Sequence, residues 1–224
     1  MRVEFVGLPG AGKTHACRET HTALRLRDVD ARLDCVEDWR PHTRGVARDY
    51  LALTGRGRRR VRVSTAAAWL GRRTMHARDS GAARGLSACA YLVAVDAHVR
   101  RLEPAAVWLH DQATVQALWS IAMRCRTDAA DAGALHTRMA WPDVVVEIRA
   151  PLPTIAGRLA TRGKLPRSLH LEADDTVEEA LERGDTAMAE LQALAARRSV
   201  TWLAAEDPAD VADMLLALPP DAQG

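Results

Sequence analysis

Gly7-Leu8-Pro9-Gly10-Ala11-Gly12-Lys13-Thr14 follows a short apolar run, Val3-Glu4-Phe5-Val6, and leads into residues with helical spacing. The eight residues fit G-x-x-x-x-G-K-[ST] at every position, in the strand–loop–helix setting the pattern requires. The glycines at 7, 10 and 12 let the backbone bend so that successive N–H groups point into one anion-binding hollow. The positive end of the following helix reinforces it. A phosphate-binding loop is therefore expected from Gly7, Pro9, Gly10, Ala11, Gly12, Lys13 and Thr14. In it Lys13 would reach the β- and γ-phosphates of a nucleoside triphosphate, and the Thr14 hydroxyl would ligate Mg2+.

Composition supports the reading of Lys13. Lys13 and Lys164 are the two lysines among 31 basic residues, so 29 are arginine. A chain that writes almost every positive charge as a planar fork has kept the compact, flexible ammonium at these positions.

At 224 residues, with 48% hydrophobic and 27% charged residues, the chain suits one well-buried α/β domain with a small insert. A net charge of +2 does not by itself point to nucleic acid or a membrane surface. Cys17, Cys35, Cys89 and Cys125 are scattered without C-x-x-C spacing, which suggests neither a zinc site nor a disulfide framework. The chain enters a strand within a few residues of Met1, and no apolar run approaches the ~18 residues of a membrane span. No leader or membrane contact is expected, and the expected location is the cytoplasm.

Outward from the loop, the pattern predicts a helix over 13–27, with Ala16, Cys17, Thr20, Ala23 and Leu24 inward, and a second strand over 31–36. Residues 37–104 are mostly helical in pattern, over 43–53, 64–78 and 86–102, and read as a helical insert that binds an acceptor at one end of the sheet. Strands are predicted over 105–109, 143–148 and 199–203, with helices over 113–131 and 151–162. A long helix follows the D-x-x-E of Asp175 and Glu178, burying Val177, Ala180, Leu181, Gly184, Met188, Leu191 and Leu194. A terminal helix starts at Pro208 and stops before Pro219-Pro220. This alternation predicts an α/β three-layer fold around a parallel, doubly wound sheet of about five strands.

Asp111 ends the buried strand after the loop. It is placed to hold Mg2+ with Thr14, directly or through water, or alternatively to cap the next helix. Gln112 beside it cannot take a proton as a glutamate would. Arg158 and Arg162 lie four apart on one helix face, and Lys164 and Arg167 follow in a short lid over 163–174. Such cations can neutralise a phosphoryl group in transfer, or form a solvated basic surface. A base for an acceptor hydroxyl is sought at the carboxyl edge of the sheet, where Asp34, Glu37 and Asp38 lie. Asp34 is the first choice, with Asp111 in a double role as the competing idea. Trp39, Tyr50, Trp69 and Trp119 read as stacking groups of an acceptor pocket or as helix core. His110 reads as a partner of Asp111 or a buried strand-end histidine.

On the loop Gly7 to Thr14, the strand-end Asp111, and Arg158, Arg162, Lys164 and Arg167 in a short lid, the chain resembles the nucleoside monophosphate kinase-like branch of P-loop kinases. That branch includes thymidylate kinase-like and small-molecule kinases. The resemblance implies a P-loop fold, MgATP as donor, and an acceptor held under the helical insert. Many nucleotide kinases carry an acid–arginine pair where this chain has Asp111-Gln112, which widens the acceptor class to sugars, nucleosides and other hydroxylated metabolites. The expected activity is transfer of the γ-phosphate of ATP to a small molecule, with ATP and Mg2+ bound and a homodimer allowed. The rival class is a P-loop NTPase, acting as a switch or on nucleic acid through the arginines at 56, 58, 59, 60 and 62. Against it stand the basic lid in the same chain, the lack of an acid after Asp111, and the lack of stacking aromatics in the arginine run.

Overall fold

The computed structural model describes residues 1–35, 92, 95–96, 98–102, 106–125, 139–162, 169 and 175–219. Lys164, Arg167, Glu37, Asp38, the arginine run at 56–62, and Trp39, Tyr50 and Trp69 lie outside them, as do most of the expected insert and all of the expected lid except Leu169.

Five strands form one parallel sheet: β1 (Arg2–Val6), β2 (Ala31–Asp34), β3 (Val107–His110), β4 (Val144–Ile148) and β5 (Thr201–Ala205), in the spatial order β2-β3-β1-β4-β5. The helices are α1 (Lys13–Arg25), α2 (Thr114–Cys125), α3 (Leu152–Thr161), α4 (Val177–Ala196) and α5 (Val211–Leu216). The chain moves one way across the sheet from β1 to β2, and the other way from β3 to β4 to β5. Right-handed crossovers therefore put α1 on one face and α2 and α4 on the other. The packing agrees: α1 lies against α5, and α2 against α4.

The central strands are buried on both faces, which is why β4 reads as an unbroken apolar run apart from Glu147. Core side chains come from every layer, including Phe5 and Val3 of β1, Leu24 of α1, Trp119 and Ile121 of α2, and Leu181 and Leu191 of α4. Trp119 is fully buried and donates from Nε1 to the Gly184 carbonyl at 2.8 Å, so it belongs to the core and not to an acceptor pocket.

Several boundaries differ from the sequence reading. The last strand starts two residues late, because Ser199 takes a positive φ of 56° and closes the turn out of α4. The capping box of α4 is Thr176 with Glu179, one residue later than the D-x-x-E expectation. Thr176 accepts from the Glu179 N–H at 3.2 Å, while the Glu179 carboxylate accepts from the Thr176 N–H at 2.9 Å. Asp175 is used elsewhere, as the ion partner of Arg183 at 2.8 Å. Within α4, Ala187 and Ala195 join the buried stripe, and Val177 and Leu194 sit at its half-buried margins.

Candidate active site

The loop between β1 and α1 sits at the carboxyl ends of the strands, where β1 and β4 lead off in opposite directions. Open parallel sheets bind ligands at such a place. Gly7 has φ 147°, and a Cβ there would lie 2.6 Å from the Ile148 carbonyl of β4, so a side chain is excluded twice over. Gly12, at φ 108°, is the N-cap of α1, which has no side-chain cap and no acid in its first turn. That arrangement keeps the amino end of α1 electropositive.

Lys13 folds over the loop and donates to the carbonyls of Gly7 at 2.9 Å and Leu8 at 3.0 Å. Burial pushes its ammonium down to about 8; Asp111 opposes that, and the Arg162 charge adds to it. Thr14, on the next residue, donates from Oγ1 to Asp111 Oδ2 at 3.0 Å. Asp111 is 1% exposed and immediately follows β3. Arg158, on α3, reaches the loop from the other side and donates to the Gly10 carbonyl at 3.0 Å and the Ala11 carbonyl at 3.4 Å. Tertiary structure thus gathers Lys13, Thr14, Asp111, Arg158 and Arg162 around one loop.

A hydroxyl and a carboxylate in contact are the hard oxygen donors that Mg2+ takes when it keeps waters and phosphate oxygens in its remaining positions. Thr14 and Asp111 fit such an ion. No group of three or more metal-ligating side chains occurs among the described residues.

Asp34 ends β2 on the same side. Its carboxylate meets His110 Nδ1 at 2.7 Å and His98 Nε2 at 2.9 Å. Burial alone would raise its pKa, but the hydrogen bonds from the two imidazoles outweigh it and hold the carboxyl well below the usual range. His110 is the register partner of both Asp34 on β2 and Glu4 on β1. One polar row, Glu4, His110 and Asp34, therefore crosses three strands on one face. His110 belongs to this row and pairs with Asp34, not with Asp111. His98 comes from the helical segment that includes residues 92, 95, 96, 98 and 99, within the expected insert.

Glu4, Gln116 and His98 were not singled out by sequence reasoning. Glu4 is fully buried and accepts from three backbone N–H groups at the start of α2: Ala113 at 2.9 Å, Val115 at 3.0 Å and Gln116 at 2.8 Å. A carboxylate from a neighbouring strand thus does the work of an N-cap. Burial raises its pKa, and these three bonds oppose the rise. The signal was present, since a lone acid inside the apolar run of β1 needs such partners. Gln116 and His98 carry no comparable sequence signal.

No protein-family model matches the chain, and no curated protein does. Among solved structures, deoxyadenosine kinase from M. mycoides with the products dCMP and a flexible dCDP superposes with a TM-score of 0.52. The identity is 13%, and the match covers 96% of each chain. The same enzyme with dCTP bound superposes with a TM-score of 0.49 at 13% identity, covering 96% of this chain and 97% of that one. The fold is that of the P-loop kinases. Within the P-loop kinase fold, the five-stranded sheet and flanking helices match the expectation from the loop and the strand–helix alternation. No helix among the described residues is long and apolar enough to cross a membrane.

Proposed function

We propose that the protein is a cytoplasmic small-molecule kinase that transfers the γ-phosphate of MgATP to a hydroxyl of a nucleoside or nucleoside-like acceptor. The observation that carries this reading is the convergence of Lys13, Thr14, Asp111 and Arg158 on one phosphate-binding loop, in a fold shared with a deoxyadenosine kinase.

In this scheme the loop amides and Lys13 bind the β- and γ-phosphates. Thr14 and Asp111 hold Mg2+, which supplies charge neutralisation at the phosphate oxygens when bound. Arg158 and Arg162, with Lys164 and Arg167, stabilise charge on the transferring group. Asp111 is buried beside the loop and in contact with Thr14. Asp34 is a weak proton acceptor with both oxygens engaged by histidines. Its role in the proposal is therefore to hold His98 and His110 at the acceptor end of the sheet, in place of the direct base expected from sequence. Base function then rests with Asp111 or with Glu37 and Asp38, which follow β2 in the chain.

The test is incubation of purified protein with MgATP and a panel of nucleosides, nucleoside monophosphates and sugars, read by mass spectrometry for a phosphate-sized gain. A phosphorylated nucleoside supports the proposal. ADP formed with no acceptor labelled favours the NTPase class instead.

A further inference from the structure

The peptide at Gly7 is held from both sides. Its carbonyl accepts from Lys13 Nζ at 2.9 Å, and its N–H donates to Gln116 Oε1 at 3.2 Å. Gln116 lies in the first turn of α2 and is 4% exposed. Its own N–H donates to Glu4 at 2.8 Å, on the strand that feeds the loop. The circuit runs from β1 through Glu4 to the amino end of α2, then through the Gln116 side chain back to the first glycine of the loop. The β1–β4 register extends only as far as Val6 and Glu147, so Gly7 lies just beyond the paired part of β1.

We infer that Gln116 is a positioning residue for triphosphate binding. It acts through the Gly7 amide and sets the phosphate loop relative to Asp111, which lies five residues earlier on the same β3–α2 connection. The inference rests on the phosphotransfer reading above. Its physical basis is the cost of an unmade bond: a buried Gly7 N–H without an acceptor pays its full desolvation penalty or turns to find another partner. A turn at Gly7 also rotates the carbonyl that anchors Lys13. Loop amides and ammonium are thereby misaligned together.

The test replaces Gln116 by Met, which keeps the length and volume of the side chain and removes the acceptor. MgATP and MgADP affinities are measured by calorimetry well below the melting temperature, and the Gly7 amide is followed by NMR hydrogen exchange without nucleotide. Ile121→Val, in the buried core of the same helix, controls for a general loss of stability. Gln116→Met is expected to lose protection at Gly7 and to bind both nucleotides about 10- to 100-fold more weakly; Ile121→Val stays within about two-fold of wild type on the same grounds. Nucleotide affinity within two-fold of wild type in Gln116→Met overturns the inference, as does unchanged Gly7 protection. Should that variant not fold, the wild-type protein decides, because a Gly7 amide that exchanges freely is incompatible with the role. A wild-type protein that binds no MgATP sinks the phosphotransfer reading itself, a different outcome from a Gln116→Met variant that binds normally.

Discussion

The Thr14 hydroxyl meets the Asp111 carboxylate at 3.0 Å, joining the first turn of α1 to the end of β3 across 97 residues of sequence. The contact brings two oxygens from separate elements together, as the proposed Mg2+ site requires. Asp111→Asn keeps the shape and an acceptor for Thr14 but removes the charge. Turnover should fall by roughly 10²-fold or more, and the Mg2+ concentration for half-maximal rate should rise. Steady-state rates across a Mg2+ titration check both; an unchanged midpoint would remove Asp111 from the metal site.

Lys13 makes the pH dependence of nucleotide binding specific. With its ammonium pushed down to about 8, the free protein above that pH has lost the proton that a triphosphate needs opposite it. MgATP binding should therefore take up a proton above pH 8 and take up none from Lys13 well below it. Calorimetry in buffers of different ionisation enthalpy reads this directly, and Lys13→Met should abolish the uptake and the turnover while leaving the fold. Between about 8 and the ordinary lysine value near 10.4, the unfolded chain holds a proton the folded chain has released, so this group makes stability rise with pH there.

The clamp of His98 and His110 on Asp34 gives a stability prediction. A carboxyl held below its ordinary range contributes stability that is present above about pH 4 and is lost as pH falls through the lower folded value. Asp34→Asn should destabilise the protein by about 1–3 kcal/mol at neutral pH, since it replaces the charged acceptor that holds the buried His110 ring and His98. It should also flatten the acid limb of the stability curve. Denaturant melts between pH 2 and 7 compare the two proteins.

Gly184 tests the packing behind the loop. A Cβ there would lie 2.9 Å from Leu8 Cδ2 and 3.0 Å from the Trp119 ring. Because Leu8 is part of the phosphate loop, Gly184→Ala should cost about 1–3 kcal/mol and also weaken nucleotide binding. Thermal melting with and without MgATP separates the two effects.

Arg158 is exposed, and its guanidinium rests on loop carbonyls. Arg158→Ala should change stability by no more than about 1 kcal/mol, as surface substitutions do, yet slow phosphotransfer by roughly 10³-fold or more if the cation serves the transferring phosphate. Arg158→Lys should restore only part of the rate, because the planar fork is lost.

Glu4 and Asp175 show where sequence reading ran short. Glu4 was legible as an acid in an apolar strand, but its partners are N–H groups of residues 113, 115 and 116, more than a hundred positions away. Asp175 fitted a capping pattern with Glu178, and Thr176 fitted one with Glu179. Spacing pointed to the first, and the structure uses the second, with Asp175 engaged by Arg183 instead. Trp119 had the helical spacing of a core residue and the chemistry of a stacking group, and only its bond to Gly184 and its burial decided between them.

The sequence by itself determined the glycine-rich loop between β1 and α1, the alternation of strands and helices among the described residues, and the acid that follows β3. These depend on local periodicity, on glycine conformations and on residue chemistry within a few positions. Tertiary structure alone decided the strand order, the pairing of Thr14 with Asp111, the row of Glu4, His110 and Asp34, and the hold of Gln116 on Gly7. Each of these joins residues from different strands and helices. Such contacts follow from how crossovers stack elements in space, and distance along the chain carries no record of it.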